Sequence, residues 1–317
     1  MNPNSKKRLV LAALIFAFAI AGLNAQIPSN MLVQTIYQTG FSYVPANEFN
    51  KVFQDFLATN YPRKNTFSQY EVEGVTTAFA LYVVSNATVS AQWKKYADAE
   101  KFYESGLANF NKRDYDSAIK DFTEAIRLDP NDAEYYYRRG RAYYNKDDYD
   151  RAIADYTQAI RLNPNYADAY DYRGEAYRKK NDYDRAIADF TQAIRLDPND
   201  EYKYTGRAYT YYSKGDYDRA IADYTQAIRL SPNTDYYYGS RANTYIKKGD
   251  YDRAIADYTE AIRLYPNSAG NYSGRADAYN RKGNYAQARV DVNKALQINP
   301  NYQDAKDLDA ELKQKGY

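Results

Sequence analysis

No cysteine and no histidine occurs anywhere in the 317 residues. Their absence removes zinc sites built on thiolate or imidazole, cysteine nucleophiles, Ser-His-Asp triads, haem attachment and disulfide frameworks. Glycine-rich phosphate loops are absent as well. Only carboxylates, Lys, Tyr and Ser are left to carry chemistry, and no cofactor or metal is expected. Neither sign of charge dominates, with 43 Lys and Arg against 41 acidic residues. Residues 1–25 hold Lys6, Lys7 and Arg8 and no acid, so the remainder balances at 40 against 41. That argues against a nucleic-acid binder, which needs a net basic footprint to displace counterions from phosphates. The apolar run Leu9 to Leu23 has 15 residues, short of the roughly 20 that span a membrane. With its basic start and the small residues after it, it reads as an export signal cleaved after Ala25. The alternative is an uncleaved membrane anchor. No cysteine follows the run, which excludes a lipoprotein, and the expected compartment is extracytoplasmic, periplasmic or secreted.

What is there is periodic. Pro130, Pro164, Pro198, Pro232, Pro266 and Pro300 each lie 34 residues after the last, which marks a stack of like units. The units are 99–132, 133–166, 167–200, 201–234, 235–268 and 269–302. Position 20 of every unit is Ala, from Ala118 to Ala288, and position 27 is Ala, from Ala125 to Ala295. Position 17 is always Tyr, and position 8 is Gly106, Gly140 and Gly174, then Ala208, Ala242 and Ala276.

In 149–162, Tyr149, Ala152, Ile153, Tyr156, Ala159, Ile160 and Leu162 fall at helical spacing. Before them, Tyr136, Gly140 and Tyr143 mark another helix, the small Gly140 admitting a close neighbour. Between the two, Gly215, Gly249 and Gly283 suit a left-handed helix end, and Asp148, Asp216 and Asp250 suit the next N-cap. Each Pro stops a second helix. The Asn after it, from Asn131 to Asn301, is expected to cap the next unit. Helix pairs this small cannot bury their apolar faces alone and must stack. Residues 303–317 carry Ala305, Leu308 and Leu312 on one face, as a C-terminal capping helix would. Residues 26–98 do not repeat. There Phe49, Val52, Phe53, Phe56 and Leu57 in Asn47–Ala58 predict a helix ended by Tyr61-Pro62, and a second apolar stretch, Val75 to Val89, leads through Trp93 into the first unit.

Residues 99–302 resemble the tetratricopeptide repeat, several positions agreeing in all six copies. The expected fold is all-α: a right-handed α-α superhelical solenoid of six helix-turn-helix repeats, with an N-terminal helical segment and a C-terminal cap. The resemblance also implies that positions 2, 5, 9, 12 and 13 of the first helices line a concave groove. Those positions supply Tyr103, Tyr137, Arg141, Tyr144, Arg178, Lys179, Tyr202, Tyr209, Tyr212, Tyr236, Asn243, Lys247 and Arg281. Of the 39 tyrosines, 19 occupy positions 4, 11, 17 and 24 and are expected in the core.

Tyr and Arg concentrate binding energy at interfaces, so this groove suits a peptide or protein partner. Relatives that clamp a chaperone C-terminus use Lys at position 5 with Asn at position 9. No unit here carries that pair, the positions reading Tyr103/Leu107, Tyr137/Arg141, Asp171/Glu175, Thr205/Tyr209, Gly239/Asn243 and Ser273/Asp277. Asp182, Asp184 and Asp189 recur with the helix and are expected to cap or solvate it rather than catalyse. Asn86-Ala87-Thr88 and Asn271-Tyr272-Ser273 match a glycosylation acceptor pattern that also arises by chance. The expected function is a non-enzymatic interaction scaffold. The alternatives are a self-assembling envelope protein, a homo-oligomer, and a cell-wall or carbohydrate binder using exposed Tyr.

Overall fold

The computed structural model describes residues 27–62, 66–67 and 69–317. The export signal read in residues 1–25 lies outside the described residues. Two compact units are present, one running to Arg139 and the other from Gly140 to Tyr317.

In the first unit the helices are α1 (Ser29–Ile36), α2 (Ala46–Asn60), α3 (Gln69–Ser85), α4 (Ala87–Asn111) and α5 (Tyr115–Leu128), with a π-helical turn, Tyr37–Phe41, after α1. A short antiparallel pair, β1 (Ile27–Pro28) with β2 (Thr66–Phe67), and the π turn are features the residue spacing does not announce. The core of this front region is aromatic. Phe41, Phe49, Phe53, Phe79 and Trp93 are almost fully buried, and the Phe53 and Phe79 rings meet edge to face at 4.6 Å. Asn86 ends α3 and caps α4 by accepting from the Val89 amide at 3.2 Å, and the axes turn by 94° there. No Gly or Pro interrupts residues 87–105, so α4 runs unbroken for 25 residues through position 98. The front region and the first repeat therefore share one helix.

Helix α6 (Ala133–Asn145) crosses the boundary between the units. The second unit then follows the period: α7 (Tyr149–Leu162), α8 (Ala167–Lys179), α9 (Tyr183–Leu196), α10 (Glu201–Lys214), α11 (Tyr217–Leu230) and α12 (Asp235–Lys248). It closes with α13 (Tyr251–Leu264), α14 (Ala269–Lys282), α15 (Tyr285–Ile298) and α16 (Gln303–Gln314). The alanines at positions 20 and 27 are buried throughout, and Ala305, Leu308 and Leu312 pack α16 onto the last repeat.

The turns inside the repeats are left-handed, with φ of +85° at Gly215 and +84° at Gly249. Arg113, Asp147 and Asn181 occupy the same turn position and take φ of 63°, 59° and 60°. Asp148, Asp216 and Asp250 accept from the amide three residues on, as expected of N-caps. The Asn after each Pro does not cap. In four repeats its own backbone amide donates to an Asx side chain two residues back, as Asn131 does to Asp129 and Asn165 to Asn163, both at 3.1 Å. The cap falls one residue later, on Asp132, Asp200 and Ser268, and before Asp132 and Asp200 an Asx turn takes up the Pro-Asn pair.

Gly140 makes room for a ring of its own repeat rather than for another backbone. A Cβ there would lie 2.8 Å from the Tyr156 ring. The tyrosines at position 24 (Tyr156, Tyr224, Tyr258) are core residues, nearly or fully buried. Those at positions 4 and 17 are only half-buried, since each lies at the edge of its helix pair. Tyr204 and Tyr238 show why: each hydroxyl donates to the carbonyl of the proline six residues back at 3.2 Å.

Candidate functional site

Side chains at the five groove positions differ widely in availability. Tyr137 is 4% exposed and belongs to the core, not the surface, which corrects its assignment as an accessible anchor. Tyr103 is half-buried. Its hydroxyl donates to Glu134 at 3.1 Å, and its ring lies 5.2 Å from that of Tyr135. Burial and the Glu134 charge push this hydroxyl up to about 12. Tyr144 packs edge to face against Tyr149 and Tyr172, and burial likewise raises it to about 12. Tyr212 is half-buried against Tyr217 and Tyr209.

The basic residues are mostly engaged within the chain. Arg141 lies over the Tyr172 ring at 4.9 Å, and Arg178 over Tyr209 at 4.8 Å while pairing with Glu175 at 2.6 Å. Cation–π contacts between neighbouring first helices thus join unit to unit. Arg281 pairs with Asp277 at 2.9 Å. Lys179, Lys247 and Asn243 are exposed, Asn243 accepting from the Tyr258 hydroxyl at 2.6 Å.

Three aromatic rings remain open to solvent. Tyr202 and Tyr209 on α10 are 67% and 45% exposed, and Tyr236 on α12 is 60% exposed. Beneath them, Tyr224 is buried, and desolvation with nearby Tyr236 and Tyr209 holds its hydroxyl well above the ordinary range. Tyr237 packs edge-on beneath Tyr236 at 5.8 Å. Toward the C-terminus, Asn243, Tyr258, Asp277, Tyr302, Asp304 and Glu311 line a cavity of about 390 Å³ to which α16 contributes its acidic side. Among the described residues no three carboxylates are disposed to hold a metal ion.

Two charged features escaped the reading of the residues. Lys203 on α10 is 1% exposed, its ammonium held by Asp200, Asp197 and Asp168. Asp171 on α8 lies nearby. Burial pushes its carboxyl up to about 7, Lys203 opposing and Glu175, Asp200 and Asp168 reinforcing the shift. The folded chain therefore holds a proton that the unfolded chain releases near 4. This contribution to stability is full below that value and lost as pH rises through 7. The thermal midpoint is expected to fall between pH 5 and pH 8, and Asp171→Asn to flatten that slope; an unchanged slope in the variant would assign it to another group.

The second feature is a clasp. Asp189, expected to cap or solvate its helix, is buried and takes two bonds from Arg173, Nε to Oδ2 at 2.7 Å and Nη2 to Oδ1 at 2.8 Å. Arg207–Asp223, Arg241–Asp257 and Arg275–Asp291 repeat the geometry. The other acids behave otherwise, Asp182 capping α9 and Asp184 pairing with Lys214. The recurrence of Arg at position 7 with Asp at position 23 was the available signal.

A family profile described as "Tetratricopeptide repeat" matches residues 137–201, 205–269 and 240–304, and one described as "TPR repeat" matches 106–147. No curated protein sequence matches the chain. Among solved structures, the MamA protein is similar at 26% identity and a TM-score of 0.50, over 53% of this chain and 91% of that one. YrrB, described as a TPR protein with an unusual peptide-binding site, is similar at 22% identity and a TM-score of 0.52, over 60% of this chain and 97% of that one. PilF of Pseudomonas aeruginosa gives a TM-score of 0.58 at 14% identity, over 69% of this chain and 99% of that one. With its helix-turn-helix units, left-handed turns and buried alanines in register with that profile over more than half its length, the chain belongs to the tetratricopeptide repeat family.

Proposed function

We propose that this protein is a non-enzymatic scaffold that holds a peptide segment of a partner protein against the first helices α10 and α12. The carrying observation is the exposure of Tyr202, Tyr209 and Tyr236 on those two helices. Large rings left in water favour an apolar or aromatic cover, and their hydroxyls stay free to bond a peptide backbone. Arg178 stacked against Tyr209 fixes one of the rings in advance, which lowers the ordering cost on binding. The peptide-binding site named for YrrB supports the same use of a similar fold.

The test is a pull-down of the native partner with the three tyrosines changed to Ala. Recovery should fall at least about tenfold, equivalent to about 1.4 kcal/mol. Helical circular dichroism should stay unchanged, since exposed side chains contribute little to folding. Full recovery by the triple variant would remove these rings from the interface.

A further inference from the structure

Five of the six repeats carry Arg at position 7, and the first carries Ser105. In the third to sixth repeats that arginine closes onto the position-23 aspartate of its own unit. In three of those units the guanidinium also lies over the position-4 tyrosine, at 5.6 Å for Arg173 on Tyr170, 5.9 Å for Arg241 on Tyr238 and 5.7 Å for Arg275 on Tyr272. The first repeat keeps the carboxylate, Asp121, and an aromatic floor, Phe102, but supplies no cation. Asp121 Oδ2 accepts from Ser105 Oγ at 2.7 Å and Asn109 Nδ2 at 2.9 Å, and Oδ1 has no donor among the described residues. The vacated space is a cavity of about 490 Å³ lined by Phe102, Ser105, Asp121 and Leu128 with Asp98, Lys101 and Arg127 also on its lining. Neither of those two cations pairs with Asp121: Lys101 pairs with Asp98 on the same lining at 2.8 Å, and Arg127 with Glu124 at 2.9 Å.

We propose that this cavity is an arginine socket: it takes the guanidinium of an arginine presented by a partner protein, placed as the later repeats place their own. The planar fork would bond Asp121 Oδ1 and the outer side of Oδ2 while stacking on Phe102, which is 36% exposed. Lysine is a poorer fit, because its ammonium neither forks nor stacks. The socket lies between α4 and α5 and is independent of the tyrosines on α10 and α12.

The probe is N-acetylargininamide, titrated into the full chain and followed by the amide resonances of Phe102, Ser105 and Asp121. Saturable shifts are expected, at least about tenfold weaker with the lysine counterpart and lost in Asp121→Asn. Ser105→Arg should fill the socket from within, abolishing the shifts and raising the thermal midpoint as a new clasp forms. Equal response to the two amides, or shifts that persist in folded Asp121→Asn or Ser105→Arg, would overturn the assignment. Sedimentation separates the source of the arginine: a dimer of the full chain that Asp121→Asn dissociates would overturn a foreign partner.

Discussion

Arg207→Ala is expected to destabilise the protein by about 3–5 kcal/mol, the range for removing one partner of a buried ion pair. The side chain bonds Asp223 twice at 2.8 Å and donates to Thr191 of the preceding repeat at 2.9 Å, so its loss acts on two units. What remains is Asp223, 5% exposed and without its cation. Asp223→Ala should cost less, because the Arg207 side chain, 17% exposed, can turn its head toward water. Replacing both, Arg207→Met with Asp223→Leu, should return stability close to that of the parent, since neither charge is left stranded. Urea denaturation followed by helical circular dichroism reads all three. A double variant as unstable as Arg207→Ala would show that the clasp acts through its shape rather than its charge.

Phe190→Ala is expected to cost a similar amount, about 3–5 kcal/mol, through a cavity that the fold cannot collapse. The ring is fully buried. It is seated between two glycines of consecutive repeats, a Cβ on Gly174 lying 3.2 Å from it and one on Gly206 only 2.6 Å away. Because each repeat leans only on its neighbours, the loss should appear locally. Amide exchange should accelerate in α8 to α10 before the rest of the second unit. Uniform acceleration across that unit would mean that the repeats open together.

The architecture was legible in the sequence because it is written in residues whose backbone behaviour is narrow. Gly215 and Gly249 take the left-handed turn, and Asp148 and Asp216 cap, as their types dictate. The position of the interhelical cap was misread because Asn131 and its equivalents are capable caps by type. In four of the repeats an Asx side chain at position 31 claims their amide first. The groove was less legible. Tyr137 and Tyr202 are the same residue type on neighbouring lines of the same face, yet one is 4% and the other 67% exposed. The two stand at different positions of the repeat: position 5, where Tyr137 lies, is buried or half-buried in every copy, and position 2, where Tyr202 lies, is half-buried or exposed in every copy. In the front region the helical period of Phe49, Phe53 and Phe56 was readable. The π turn and the two-residue strands were not, having no periodicity to show.

Helix α4 has a practical meaning for anyone dividing this protein. Its 25 residues extend about 37 Å at 1.5 Å per residue, and the sequence repeat begins near its midpoint. A cut at residue 98 would leave half a rod on either side, with Trp93 and the aromatic core on one piece and Ala99 with its cover on the other. The first repeat and the aromatic front region are thus joined as a lever is to its handle, because order imposed on one end of α4 reaches the other along a single unbroken helix.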